Sequence, residues 1–376
     1  MQPTDKSMTV KDADWSWLSS YFTPTLVAAR AYKLDAPVGI TIKLDQNESP
    51  WDWPDAIKDR ILAKVKDADW NRYPDPMAQG VTAGLSKYLG VPKENILTSS
   101  GSNHLITVIL EGLAKQLTGK LVITRPSFPL FESHAQYLGI PYETWDLDET
   151  FQYAMAKLPK LSDGSMVIIA SPNNPTGTSL PKKDLRDLLS TYPKVLFLAD
   201  EAYYEFDDDP YTDLLSEFGN LLILRTLSKT MGAAGVRLGY ALGSKDLIGH
   251  LGKLRVPFLL NHFTLAAAEA IFEHPEMGKF MERNVQNARS ERNRMFETLV
   301  TKLKGVEVFN SKANFLLLRW PMQDSCQAAY ESLMKAGIQV RNISAGPGLK
   351  GCLRVTIGLP EENDAFVKAI VASHRL

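Results

Sequence analysis

Short apolar runs at 121–124, 166–170, 195–199, 221–226 and 238–242 punctuate the middle of the chain. Runs of that length without polar alternation fit strands covered on both faces, as in a parallel sheet. Between them lie helix-like stretches such as 129–138 and 181–189. The second opens on Pro181 and sets Leu185, Leu188 and Leu189 along one side. This alternation predicts an α/β fold, a mostly parallel sheet sandwiched by helices. Beyond Asn261 the pattern changes. Residues 263–304 read as helix with a break at His274-Pro275. Strands are then expected at 306–309, 315–318, 339–341 and 353–357, with helices at 325–336 and 361–373. That tail is an α+β unit of its own. The first 45 residues hold one amphipathic piece, 25–32, expected to pack with the C-terminal unit. The predicted domains are therefore a large one at 46–257 and a small one from both termini, 1–45 with 258–376.

Composition narrows the function without choosing it. The chain has 376 residues, 44% apolar and 23% charged, with a net charge of −1 and both signs interleaved. Nothing global draws it to nucleic acid or to an anionic membrane surface. No apolar run approaches the length of a spanning helix. The polar first residues, which include no apolar core segment, predict no signal peptide. The two cysteines, Cys326 and Cys352, read as reduced thiols of a cytoplasmic protein. Neither they nor the six scattered histidines have metal-ligand spacing, so no metal is expected.

Candidate chemistry gathers where predicted strands end. After 166–170 comes Ser171-Pro172-Asn173-Asn174-Pro175-Thr176-Gly177, a rigid turn at the sheet edge where open α/β sheets bind ligands. After 195–199 comes Asp200-Glu201-Ala202-Tyr203, and after 221–226 comes Leu227-Ser228-Lys229, a lysine among hydroxyls. Arg237 follows, with Gly232 and Gly235 between to allow unusual backbone. Taken singly, each has an ordinary explanation: a plain turn, a solvated acidic pair, a surface lysine. Their joint order is what carries information. Further up the chain, Thr98-Ser99-Ser100-Gly101-Ser102-Asn103 precedes an apolar helical run, a helix start with N–H groups open to an anion. It is not a nucleotide-binding lysine loop, since no Gly-Lys-Ser/Thr follows. Phe128, in Arg125-Pro126-Ser127-Phe128, is an aromatic at the next strand end.

The ordered set SPNNPTG, DEAY, TLSK and GVRLGY resembles the class I/II, fold type I aminotransferases that depend on pyridoxal 5'-phosphate. Within them it is most similar to the histidinol-phosphate aminotransferase branch. The branch marks are Leu44-Asp45-Gln46-Asn47-Glu48-Ser49-Pro50, Arg72-Tyr73-Pro74-Asp75-Pro76, and Val340-Arg341 with Gly351-Cys352-Leu353-Arg354-Val355-Thr356. The resemblance implies a large domain with a seven-stranded sheet and amino transfer from a small-molecule donor to a 2-oxo acid. L-histidinol phosphate with 2-oxoglutarate, in histidine biosynthesis, is the implied pair. Lys229 matches the Schiff-base lysine, and such chemistry needs a buried carboxylate at the ring nitrogen, here Asp200. Asn174 and Tyr203 match donors to the ring's phenolate oxygen. Thr226, Ser228, Arg237, Ser102 and Asn103 match the phosphate cradle, and Phe128 the stacking aromatic. Tyr73 matches a residue that reaches the other subunit's cofactor, which implies a homodimer with shared sites. Arg354, Arg341 and Asn47 match substrate contacts.

Two departures stand out. Asn103-His104 replaces a more usual acidic pair, and Thr25 stands where the branch carries a substrate-touching tyrosine, with Tyr21 and Tyr32 as nearby aromatics. Aromatic transaminases and amino-acid-phosphate decarboxylases share much of the motif set. A nicotinamide dehydrogenase would need a Gly-x-Gly-x-x-Gly after an early strand, and a DNA-reading regulator a basic extension; neither pattern is present.

Overall fold

The computed structural model describes residues 14–29 and 39–374. Its strands are, in chain order, β1 (Ile42–Leu44), β2 (Ile96–Ser99), β3 (Leu121–Arg125), β4 (Tyr142–Asp146), β5 (Met166–Ala170) and β6 (Leu196–Asp200). β7 (Leu221–Thr226), β8 (Gly239–Leu242), β9 (Glu307–Phe309), β10 (Phe315–Arg319), β11 (Ile338–Asn342) and β12 (Cys352–Thr356) follow. Seven of them form one sheet in the order β2-β8-β7-β6-β5-β3-β4, and five form a second in the order β1-β11-β12-β10-β9. In the larger sheet only β8 runs against its neighbours, pairing antiparallel with both β2 and β7. The loops that follow β2, β3, β5, β6 and β7, and the one that precedes β8, therefore open on a single edge. That edge gathers the turn, the acidic pair, the lysine, Arg237, the helix start and Phe128.

The continuous apolar runs became strands covered on both faces, and every residue of β5 and β7 is buried. On one face pack Ile57, Ile61, Val81 and Leu85 from the helices Asp55–Asp67 and Gln79–Leu89, with Ala267 and Ile271 of the helix His262–Glu273. Gly84 lets two of these helices approach closely, since a Cβ there would meet Phe272 at 2.8 Å. Leu105, Ile109 and Phe131, from the helices Ser102–Gly112 and Leu130–Tyr137, cover the other face.

Three details differ from the sequence expectations. The edge strands β2 and β4 were not anticipated. The break at His274 is real: it caps the end of one helix and the start of the next, Pro275–Lys302. Yet the helix before it packs on the large sheet, although a division at 257/258 assigns it to the C-terminal unit. The amphipathic piece 25–32 also goes elsewhere. Its described part, the helix Pro24–Ala28, lies on the helix Leu130–Tyr137, where the Thr25 hydroxyl donates to the Gln136 carbonyl at 3.1 Å. Tyr32 lies outside the described residues. The strand β1 does join the C-terminal sheet, parallel to β11.

Candidate active site

Lys229 sits just beyond the end of β7, with its amine donating to the Gln46 carbonyl at 3.0 Å. Burial, then the positive charge of Arg354, pulls its pKa down to about 8. Asp200 ends β6 at 6% exposure. Burial raises its carboxyl from 3.8 to about 7, opposed by the Ala202 N–H that it accepts at 3.0 Å and, less, by Lys229. This is a buried carboxyl short of a cation, near a buried amine that gives up its proton easily.

The neighbouring acid has a different fate. Successive side chains of a strand end point to opposite faces, and Glu201 accepts two bonds from Arg225 of β7, 2.9 Å from Nε and 2.6 Å from Nη2. Both members of that pair are about 1% exposed. Glu201 is thus spent on structure, which leaves Asp200 as the free carboxylate of the Asp-Glu motif.

Around these two, polar groups are held with donors to spare. The Tyr203 hydroxyl accepts from Asn47 Nδ2 at 2.9 Å, keeping its own O–H proton to donate. Asn174 Oδ1 accepts from Arg354 Nη1 at 2.6 Å, which turns its amide N–H groups elsewhere. Asn47 has φ of 53°, a left-handed backbone that Asn tolerates. Its amide and carboxamide oxygen are tied to the Thr356 hydroxyl at 2.9 and 3.1 Å, and its carbonyl accepts from Asn314 at 3.1 Å.

A few residues away is a cradle of small residues. The Thr226 and Ser228 hydroxyls lie 2.9 Å apart, and the Ser228 amide donates to Thr226 Oγ1 at 3.2 Å. Ser102 is the first residue of the helix Ser102–Gly112, preceded by Gly101 at φ of 81°. A Cβ on Gly101 would meet Arg237 Nη2 at 2.7 Å, and one on Gly239 would fall on the Ser102 amide nitrogen. Backbone N–H groups, two hydroxyls and a guanidinium so close together suit a phosphate. Asn103, the next helical residue, is exposed.

Arg354 is 8% exposed. Besides Asn174 it donates to the Asp45 carbonyl. Arg341 stands directly opposite it, since the antiparallel register of β11 and β12 pairs these two residues. Phe128, half-buried, packs edge-on against Phe131 at 5.9 Å, and its loop is tied to the Asn-Pro turn by Ser127 Oγ on Asn173 Oδ1 at 2.7 Å. Tyr73 lies apart from the rest, 79% exposed and stacked on Phe258 at 4.4 Å. Tyr21 is exposed as well, against Trp17.

Sequence reasoning did not anticipate the carbonyls of Gln46 and Asp45, nor Asn314 and Thr356. A backbone acceptor leaves no side-chain signature. Among the described residues no cluster of histidine, cysteine or acidic side chains could hold a metal, and no helix is long and apolar enough to cross a membrane.

Fold and site together describe an α/β enzyme that sets a buried lysine and carboxylate beside an anion cradle. The family model of the class I and II aminotransferases matches residues 40–370, and the chain belongs to that family. A histidinol-phosphate aminotransferase of Chlorobium phaeovibrioides is 35% identical over 362 residues, 94% of this chain and 96% of the relative. That of Pyrococcus furiosus is 36% identical over 331 residues, 88% and 91% of the two chains. Among solved structures, the histidinol-phosphate aminotransferase of Sinorhizobium meliloti in complex with pyridoxal-5'-phosphate superposes with a TM-score of 0.80. It is 21% identical, and the match covers 95% of this chain and 98% of that one.

Proposed function

We propose that this aminotransferase uses pyridoxal phosphate to move the amino group of L-histidinol phosphate to 2-oxoglutarate, giving imidazole acetol phosphate and glutamate. The observation that supports the substrate reading is Arg354, buried and bonded to Asn174, with Arg341 at the opposed position of the neighbouring strand. One carboxylate needs one guanidinium; two suit a substrate that brings a phosphate. The names of the relatives support the same reading.

The residues fit the cofactor. Gly101 and Gly239 leave room where a Cβ would close the cradle. Asp200 lacks a cation that a protonated ring nitrogen would supply. Thr226, Ser228, Arg237, Ser102 and Asn103 would hold the phosphate, Asn174 and Tyr203 the phenolate oxygen, and Phe128 one ring face. When bound, pyridoxal phosphate supplies a carbonyl that reacts with amines and a ring that accepts the electron pair left by proton removal. Asp200, ionised against that ring, favours its cationic form. Lys229, with its pKa near 8, has an appreciable neutral fraction at neutral pH and moves the proton on and off the carbon that bears the amine. Arg354 grips the acidic group of each amino or oxo acid in turn. Buried walls keep water from the reacting carbon.

The reading includes a homodimer in which Tyr73 serves the neighbouring site, and a cytoplasmic setting in keeping with two free buried cysteines. It divides the chain into a large domain, 46–257, and a small one, 1–45 with 258–376, with the helix His262–Glu273 lending its apolar face to the former. Borohydride reduction of the purified protein followed by peptide mapping should put the pyridoxyl label on Lys229; label on another lysine refutes the assignment. Lys229→Ala should lower turnover by roughly 10²–10⁴-fold or more. A charge-assisted contact is worth roughly 1.5–3 kcal/mol, so Arg341→Ala should lower kcat/KM for histidinol phosphate by about one to two decades and barely touch phenylalanine. A wild type that prefers phenylalanine or tyrosine would point to an aromatic transaminase instead.

A further inference from the structure

Behind Lys229, on the side of the long helix Pro275–Lys302, lies a cavity of ≈ 10 Å³ lined by Ser49, Trp51, Lys229, Thr230, Asn284 and Asn314 among others. That is room for about one water centre. The polar atoms on its walls are unusual for a folded interior. Asn284 is 2% exposed, Asn314 2% and Thr230 1%. Both polar atoms of the Asn284 carboxamide and Asn314 Oδ1 find no hydrogen-bond partner, while the Thr230 hydroxyl is engaged by the buried Glu205 carboxyl. Buried side-chain polar groups are nearly always satisfied, and here three unsatisfied atoms from two segments border one small space. The other half of Asn314 is engaged, since its Nδ2 donates to the Asn47 carbonyl at 3.1 Å. Asn47 in turn holds Tyr203 at 2.9 Å.

We propose that this cavity is a binding site for a single structural water, and that Asn284 and Asn314 are positioning residues that act on Lys229 through it. The donor and acceptor inventory suits water. Two carboxamide oxygens accept its protons, while the Asn284 amide donates to its oxygen. A metal ion would use the oxygens alone and leave the Asn284 amide unpaired. Bound there, the water joins the long helix to the segment that carries Asn314, with Lys229 and Thr230 on the same cavity wall. Through Asn314 and Asn47 it also continues to Tyr203. The lysine and tyrosine are thereby held from behind as one unit. The site itself does not depend on the proposed reaction; only the positioning role rests on Lys229 being the cofactor lysine.

The test begins with a crystal structure of the cofactor-loaded enzyme at a resolution that shows ordered water. One peak within hydrogen-bond distance of Asn284 and Asn314 is expected. No peak, or one with the shorter contacts of a metal ion, overturns the proposal. Asn284→Leu fills the space with carbon, evicts the water and strands Asn314 Oδ1, so Tm should fall by several degrees. Asn284→Ser retains a hydroxyl for the water and should recover most of that loss. An unchanged or raised Tm in Asn284→Leu means that no water had been held there. For the positioning role, the pH midpoint of visible absorbance in the loaded protein should move by roughly half a unit in Asn284→Leu and return in Asn284→Ser. Arg354, Glu48, Arg237 and Lys43, the charges that bear on Lys229, are unchanged in both variants. An unmoved midpoint refutes the role. Because the density measurement needs no assumption about Lys229, its failure is distinct from a failure of the borohydride mapping.

Discussion

At the scale of single residues, Asp200 makes the sharpest prediction. Its carboxyl is raised from 3.8 to about 7, chiefly by burial. In the cofactor-free protein the folded chain therefore keeps a proton across that window which the unfolded chain has already lost. Stability from this group is full in acid, falls as pH rises through about 7, and is absent above. An asparagine at this position cannot ionise, so Asp200→Asn should match wild type near pH 4 and become the more stable protein above pH 7, by roughly 1–4 kcal/mol. Urea unfolding across that range measures it, and a gap that does not widen with pH contradicts the burial argument. In the loaded enzyme the same substitution should slow the proton-transfer step instead. The sequence pointed to Asp200 by its place at a strand end, but left Glu201 as a rival. Only the strand's alternation and the Arg225 partner separate them. Asn47, expected at the substrate, also holds Tyr203, a contact that depends on a left-handed backbone no motif announces.

At the scale of elements, the cradle proposed for the phosphate exists because β8 runs against β7 and β2. Gly239, at its start, pairs with Thr226 on one side and Ser99 on the other. A side chain there has nowhere to go but into the Ser102 amide. Gly239→Ala should push the helix start off the phosphate and weaken pyridoxal phosphate binding about ten- to a hundredfold, the cost of roughly one charge-assisted contact. Gly249→Ala is the control, since a Cβ there meets nothing within 4 Å. Absorbance titration of the apo-protein compares the two, and equal affinities would mean the cradle has slack. The elements most legible in the sequence were those with the most burial. β5 and β7 read plainly because both faces are covered and nearly every residue is apolar. β4 stayed hidden because an edge strand alternates, and its residues Tyr142–Asp146 include Glu143 and Asp146 in the open. β2 is buried, but its sequence Ile96-Leu97-Thr98-Ser99 is half polar, so no continuous apolar run marks it. The helix Pro24–Ala28 was expected to bury an apolar face, but none of its residues is buried, and Thr25 ties it to the helix Leu130–Tyr137.

For the whole molecule, the question is what covers the apolar surface left open around Tyr73. The turn that holds Trp70, Tyr73 and Met77 is laced to the segment 254–263: Arg255 donates to the Met77 carbonyl at 3.0 Å, and His262 lies 3.3 Å from the Arg72 carbonyl. Leu254, Val256, Phe258 and Phe263 add to the exposed apolar area. Patches of this kind on a folded chain mark interfaces. A twofold axis would make the surface self-complementary and carry each Tyr73 toward its neighbour's cradle. Mixing tests this more strictly than size measurement does. Protomers carrying Lys229→Ala and protomers carrying Tyr73→Phe should each be impaired alone. In a hybrid dimer one site receives both defects and the other neither. Unfolding and refolding an equal mixture should form hybrids as about half of the dimers and thus restore about a quarter of wild-type sites, on random pairing. Activity should rise above the mean of the two parents as subunits exchange, and should track the hybrid fraction separated by a charge tag. A mixture that never exceeds that mean places Tyr73 in its own subunit's site or in none, and a fully active monomer removes the shared site altogether.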